Sequence, residues 1–242
     1  MTNITKTIIL LGALATTASA QVLVSESFES PDIGVNLGVQ NNSIAGFTTT
    51  ASSDFEIWHV GGTNNGNGGF TAGAAQDGDQ YIEVASNQAA LISTTFTTNT
   101  TDTVSFSFYH GQRQFNSEQV NYAIYDVTAG EVITFDAANL LVQANGASLV
   151  AGTDGTTNSI GVITDFNNNI GETVGPWTQY SGTFDPTAGS TYALVISTET
   201  GGANDSQGNF IDDVVVQQIP EPSSTALLGL GGLALIARRK RA

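Results

Sequence analysis

Val104-Ser105-Phe106-Ser107-Phe108 alternates large apolar and small polar residues without a break. A period of two is that of an extended strand with one face turned inward. Ile82 and Val84 alternate in the same way with Tyr81 and Glu83. Segments 22–28, 54–60, 90–97, 120–127, 131–135, 178–184, 192–198 and 210–217 are further strand candidates, punctuated by Gly/Asn/Asp/Thr clusters such as 61–69 and 165–171. Nothing between the two termini sustains a helical period. About ten strands without helices leave an all-β sandwich or barrel as the expected class.

The two ends are of a different kind. Met1–Ala20 has one cation, Lys6, an apolar core over 8–15, and Ala18 and Ala20 spaced as in an A-x-A cleavage site, so it reads as a secretory signal helix with the mature chain starting at Gln21. At the far end Pro220-Glu221-Pro222 precedes an apolar run over 225–237 and the cluster Arg238-Arg239-Lys240-Arg241. Prolines hold an extended peptide, the apolar run partitions into a bilayer, and the cations stay cytoplasmic. The run is shorter than the ~20 residues of a free-standing span, so it makes a short, marginal transmembrane helix with snorkelling arginines.

Pro-Glu-Pro, the brief Leu/Gly/Ala helix and the terminal Arg/Lys cluster together resemble the PEP-CTERM sorting tail of Gram-negative bacteria. The resemblance implies recognition by an exosortase, a membrane transpeptidase-like enzyme. It also implies an exported protein of the cell envelope, surface or extracellular matrix, made alongside exopolysaccharide. The other reading of the tail is an ordinary membrane anchor preceded by a chance Pro-Glu-Pro. Either way the chain divides into 1–20, 21–219 and 220–242, and the middle part is long enough for one sizeable core.

Charge narrows the partners. The chain has six Lys/Arg against 22 Asp/Glu, but five of the cations and Glu221 lie in the terminal segments, leaving Arg113 against 21 carboxylates, a formal −20. Such a domain repels nucleic acid and anionic membranes and disfavours polyanionic glycans. Neutral polysaccharide and divalent cations remain as partners. With no cysteine, neither disulfides nor thiolate metal sites contribute.

Ser27-Phe28-Glu29-Ser30-Pro31 and Gly208-Asn209-Phe210-Ile211-Asp212-Asp213-Val214 resemble the opening and closing segments of galactose-binding-like jelly rolls, a group that includes many carbohydrate-binding modules. Segments 77–83 and 177–184 resemble inner strands of that group. The resemblance implies a jelly-roll β-sandwich whose first and last strands lie side by side. It also implies that an acid from each, Glu29 and Asp212 or Asp213, surrounds a structural calcium ion at oxygen distances of about 2.3–2.6 Å. Neighbours in a regular strand point to opposite faces, which favours Asp212 and leaves Asp213 solvated. The alternative is three ordinary surface acids.

No catalytic constellation stands out. Without cysteine, Gly-x-Ser-x-Gly or His-Glu-x-x-His, and with only His59 and His110, nucleophilic and zinc-protease chemistry lack support. A two-carboxylate hydrolase stays open on composition alone. The Asp165–Gly171 stretch imitates a calcium loop but misplaces its glycine and lacks the closing glutamate, and reads as a polar turn. Trp58 is a candidate sugar-stacking platform, whereas Trp177 reads as core. Arg113 is either a glycan-gripping fork or half of an internal ion pair, for example with Glu83. The expectation is an exported, non-catalytic, glycan-associated protein, with a glycan-active hydrolase or lyase as the alternative.

Overall fold

The structure is a computed structural model that describes residues 19–34, 39–51, 55–62, 73–84, 90–112, 120–136, 141–143, 145–151, 161–163, 177–198 and 209–220. The expected signal and transmembrane helices fall outside these residues. Gln21–Ile219 forms one compact unit.

The described residues of that unit contain strands and no helix: β1 (Gln21–Glu26), β2 (Val39–Asn42), β3 (Phe47–Thr49), β4 (Phe55–His59), β5 (Gln80–Glu83), β6 (Leu91–Thr97), β7 (Val104–Gln112), β8 (Val120–Asp126), β9 (Thr134–Asp136), β10 (Leu141–Gln143), β11 (Ser148–Ala151), β12 (Gly161–Ile163), β13 (Thr178–Phe184), β14 (Thr191–Thr198) and β15 (Asn209–Gln218). One large sheet runs β13-β7-β15-β5-β4-β2, with β1 also on β15; the second runs β11-β8-β14-β6-β3, with β12 also on β8; β9 and β10 form a separate two-stranded sheet. The pairs β7/β15, β7/β13, β1/β15, β6/β14 and β8/β14 are all antiparallel. The chain crosses between the sheets repeatedly, and the fold is an all-β, jelly-roll-type sandwich.

Alternation builds the core. Val104, Phe106 and Phe108 of β7 are buried and face Tyr122, Ile124, Leu194 and Ile196 from the other sheet, while Ser105 and Ser107 turn outward. Each large apolar side chain so buried contributes about 1.5–3 kcal/mol. Both outer faces are partly covered as well. On the second sheet Leu91, Tyr125 and Val195 lie under Ile133, Val142 and Leu149, contributed by 131–151. At one end of the first sheet Trp58, Tyr81 and Phe210 form a small aromatic core capped by Ala75 and Trp177.

β4 and β5 are therefore buried on both faces, with Ile57 and Ile82 pointing in and Trp58 and Tyr81 out. Ring centroids lie 5.1 Å apart for Trp58–Phe210, 4.9 Å for Tyr81–Phe210 and 5.4 Å for Tyr81–Trp177, all edge-to-face. Trp177 Nε1 donates to Ala74 O at 2.8 Å and ties the cap down.

Candidate functional site

The exposed part of the first sheet's outer face carries a shallow groove of about 410 Å³ over β13, β7 and β15. Strand register organises it into two rungs. Thr183, Ser105 and Gln217 lie side by side, and so do Ser181, Ser107 and Val215. Adjacent strands are about 4.8 Å apart and successive outward residues about 6.8 Å apart, so the groove presents a grid of hydroxyls and amides. Each hydroxyl can donate once and accept twice, and each amide does both. None of the described residues lining the groove is ionisable, on a domain with a formal −20. Among the described residues, no side-chain hydrogen bond within the protein engages Ser105, Ser107, Ser181, Thr183 or Gln217. The hydroxyls on the second sheet's outer face differ: Thr48 Oγ1 lies 2.8 Å from Ser93 Oγ, and Thr97 Oγ1 lies 3.0 Å from Thr191 Oγ1.

A third rung, Gln179–Tyr109–Asp212, leads from the groove to an acidic seam. Here β15 exchanges one neighbour for another: β5 pairs with Phe210 and Ile211, and β1 pairs with 214–218. A bulge between Asp212 and Val215 accommodates the change, and Asp213 sits at φ 46° within it. Asp212 is fully buried. Its Oδ2 accepts from Gln76 N at 2.8 Å and Asp77 N at 3.0 Å, and its Oδ1 from Asp213 N at 2.7 Å. Glu29 reaches the same turn from the end of β1, with Oε1 accepting from Asp79 N at 2.9 Å and Gln80 N at 2.8 Å. Gly78, at φ 65°, lies between these contacts, and a Cβ there would collide with Glu29 Oε1. Two carboxylates from opposite ends of the chain thus cap one turn, 76–80.

Burial pushes the Asp212 carboxyl up to about 7, against the lowering effect of its backbone donors, with Asp213 adding a smaller push. Asp213 is also raised, by burial first and then by Asp77. The fit of this seam to calcium is partial. Carboxylates are the hard donors calcium takes, and their oxygens keep lone pairs beyond the N–H bonds they accept. The described residues nonetheless gather no group of three His, Cys, Asp or Glu that could hold a metal, so backbone carbonyls would have to complete the shell.

Other sequence-derived sites fare differently. Trp58 is 1% exposed and packed in the aromatic core, so the stacking-platform expectation is corrected: segment 73–80 folds back over the ring. Half-buried Trp177 joins the same cluster as its cap. His110 is buried with Nε2 2.7 Å from Asn209 Oδ1. Arg113, Ala18, Glu221, Pro222, Arg238, Arg239, Lys240, Arg241 and the 165–171 stretch lie outside the described residues. Glu56 and Glu83 are register partners across β4 and β5, but both are buried, at 7% and 2% exposed. The groove hydroxyls were missed because an alternating Ser is what any solvent-facing strand position shows.

Residues 218–241 match the model of the PEP-CTERM protein-sorting motif. The chain carries that sorting motif. The PEP-CTERM motif marks it as an exported, surface-sorted protein and overlaps the end of β15 at Gln218. No curated protein matches the chain in sequence. Among solved structures, it is similar to the CBM22-1 xylan-binding domain of Xyn10C from Paenibacillus barcinonensis, at 13% identity over 85% of this chain and 99% of that one, with a TM-score of 0.47. It is also similar to the K3 cleaved adhesin domain of Lys-gingipain from Porphyromonas gingivalis, at 18% identity over 82% and 99%, with a TM-score of 0.44. Likeness at this level says nothing about a ligand.

Proposed function

We propose that this PEP-CTERM protein is a non-catalytic component of the Gram-negative cell surface or extracellular matrix, associated with a neutral polysaccharide or exopolysaccharide through the groove on β13, β7 and β15. The observation that carries the reading is the contrast between an uncharged grid of hydroxyls and amides and the acidity of the rest of the domain. A sugar presents the same donor and acceptor chemistry, and a chain laid along the grid exchanges water for protein at about 0.5–1.5 kcal/mol per hydrogen bond. Anionic glycans are excluded by the surrounding field, which one arginine offsets only locally. Before processing, the apolar run holds the protein in the membrane, and an exosortase acts on the tail.

A structural calcium ion at Glu29 and Asp212, with Asp213 beside them, belongs to the same proposal. Phe28 at φ 60°, Asp213 at φ 46° and Gly78 at φ 65° all sit at this seam, and a concentration of sparsely populated backbone conformations is typical of binding positions. The ion's role is to neutralise buried carboxylates and tie β1 to β15.

An array of neutral, uronate-containing and sulfated glycans, probed with the exported protein at low salt, tests the main reading. Retention on neutral chains alone is the expected result, and preference for alginate-like or sulfated chains would refute it. The hydrolase or lyase reading has the Glu56–Glu83 pair in its favour and the burial of both acids against it. Release of reducing ends by the wild type and its loss in Glu83→Gln would establish it.

A further inference from the structure

An open strand edge recruits other chains, and folded proteins blunt such edges with short strands, bulges, proline or charge. Most edges of this sandwich are blunted in that way. β3, β9, β10 and β12 are each three residues long. β1, β2 and β11 carry register shifts, between Val22 and Val24, between Val39 and Asn42, and between Leu149 and Ala151. β13 has none of these devices. Its seven residues, Thr-Gln-Tyr-Ser-Gly-Thr-Phe, pair with β7 without a shift and include neither charge nor proline, and among the described residues no strand pairs with its other side.

The ladder shows which groups that side presents. Ile219 N donates to Thr103 O at 2.8 Å, so the bonded pairs between β15 and β7 run through Thr103, Ser105 and Ser107. Bonded and non-bonded pairs alternate in an antiparallel ladder, so Val104, Phe106, Phe108 and His110 turn their main-chain groups to β13 instead. There they meet Phe184, Gly182, Tyr180 and Thr178. Gln179, Ser181 and Thr183 therefore aim their N–H and C=O groups away from the sheet. Their side chains are exposed, and among the described residues no further hydrogen bond engages them.

We infer that β13 is a self-association edge, to which a second copy of this chain adds its own β13, antiparallel, about a two-fold axis at Ser181. Ser181 then pairs with Ser181 of the second copy, and Gln179 with its Thr183, each pair exchanging two main-chain bonds. Such a contact is self-complementary and closed. Charge decides for this arrangement. Two copies with a formal −20 each repel, so a stable contact has to bring uncharged residues together, and every residue paired here is uncharged. Asp185, the first acid beyond the strand, falls opposite Trp177 of the second copy rather than opposite a carboxylate. The axis stands perpendicular to the sheet, so both outer faces look the same way and the rung Ser181–Ser107–Val215 continues into its copy over about 24 Å. The consequence for function rests on the glycan reading: two grids side by side hold one polysaccharide at two points, and avidity strengthens retention.

Sedimentation equilibrium of the exported protein, from about 1 μM to about 1 mM and without glycan, tests the edge itself. Dimerisation is expected, tighter at about 1 M salt than at about 0.15 M, because screening weakens the repulsion between copies. Ser181→Pro removes one outward N–H per copy, spares the bonds to β7, and is expected to weaken the dimer about tenfold or more. Should that variant fail to fold, Ser181→Cys decides, in a chain with no other cysteine. Paired Cα atoms about 5.5 Å apart lie within disulfide range, so oxidised glutathione is expected to cross-link this variant and to leave Thr95→Cys, exposed on the second sheet, monomeric. A monomer at every concentration, a dimer that salt dissociates, or equal cross-linking of the two cysteine variants would overturn the inference. None of these outcomes touches glycan binding by the single domain.

Discussion

Trp58→Ala is expected to cost the domain about 3–5 kcal/mol, the range for deleting a large aromatic from a packed interior. The ring is 1% exposed, lies 5.1 Å from Phe210 edge-to-face, and shares its cluster with Tyr81 under Ala75 and Trp177. Its removal leaves a cavity between the sheet and the 73–80 cap, and neither wall is free to collapse: β4 is hydrogen-bonded in the sheet, and the cap is pinned by Asp212 and Glu29. For a domain of this size each kcal/mol lowers the melting temperature by about 2–4 °C, so a drop of roughly 6–20 °C should appear in thermal unfolding followed by circular dichroism. A solvent-facing sugar platform would behave oppositely, leaving the melting curve within about 0.5 kcal/mol of wild type while weakening glycan binding.

The acidic seam should make stability fall as pH rises, the reverse of an ordinary salt-bridged carboxylate. In the unfolded chain Asp212 loses its proton near the usual 3.8, whereas in the folded domain burial holds it up to about 7. Between those values the folded state binds the extra proton, so in chelator stability is highest on the acid side and declines through the window to above pH 7. A tenfold change in proton affinity is about 1.4 kcal/mol, which sets the full effect on the order of 4 kcal/mol. Asp213, raised in the same direction, adds to it, and Asp212→Asn should flatten the profile. Calcium competes with the proton for the same oxygens. At pH 8 a hundredfold excess over its dissociation constant should stabilise the domain by about 2.7 kcal/mol, and at pH 5 the benefit should shrink. Identical melting curves in chelator and millimolar calcium at pH 8 would reject the ion, and a shift that survives Asp212→Ala would move it elsewhere.

Where sequence and structure part company, the cause is a contact between distant segments. The strand around 104–108 is legible by its alternation of large apolar with small polar residues, and 192–198 by a short apolar run that includes β-branched Val195 and Ile196; tertiary packing only confirms the local preference. β2, Val-Gln-Asn-Asn, has little intrinsic strand preference and exists because β4 offers it a ladder. Trp58 follows the expected alternation with Ile57, but alternation names two faces without saying that 73–80 covers the outer one. Asp212 and Asp213 were legible as acids at a seam. Their geometry was not, because the bulge that turns Asp213 to φ 46° arises where β15 changes neighbours from β5 to β1. The sorting tail was readable in full because its chemistry lies in residue order, whereas its attachment to the sheet through Gln218 depends on Thr100 and Asp102, more than a hundred positions away.

Calorimetric titration of the neutral glycan best retained on the array, against the exported wild type and Ser181→Asp, tests the central claim most directly. Ser181 is exposed at the middle of the grid beside Ser107, so the substitution should change stability by no more than about 0.5 kcal/mol. A carboxylate there must be desolvated against sugar hydroxyls, and a tenfold or greater loss of affinity, about 1.4 kcal/mol, is the predicted result. Equal affinity for the two proteins, with binding intact, would contradict the assignment of the groove as the glycan site.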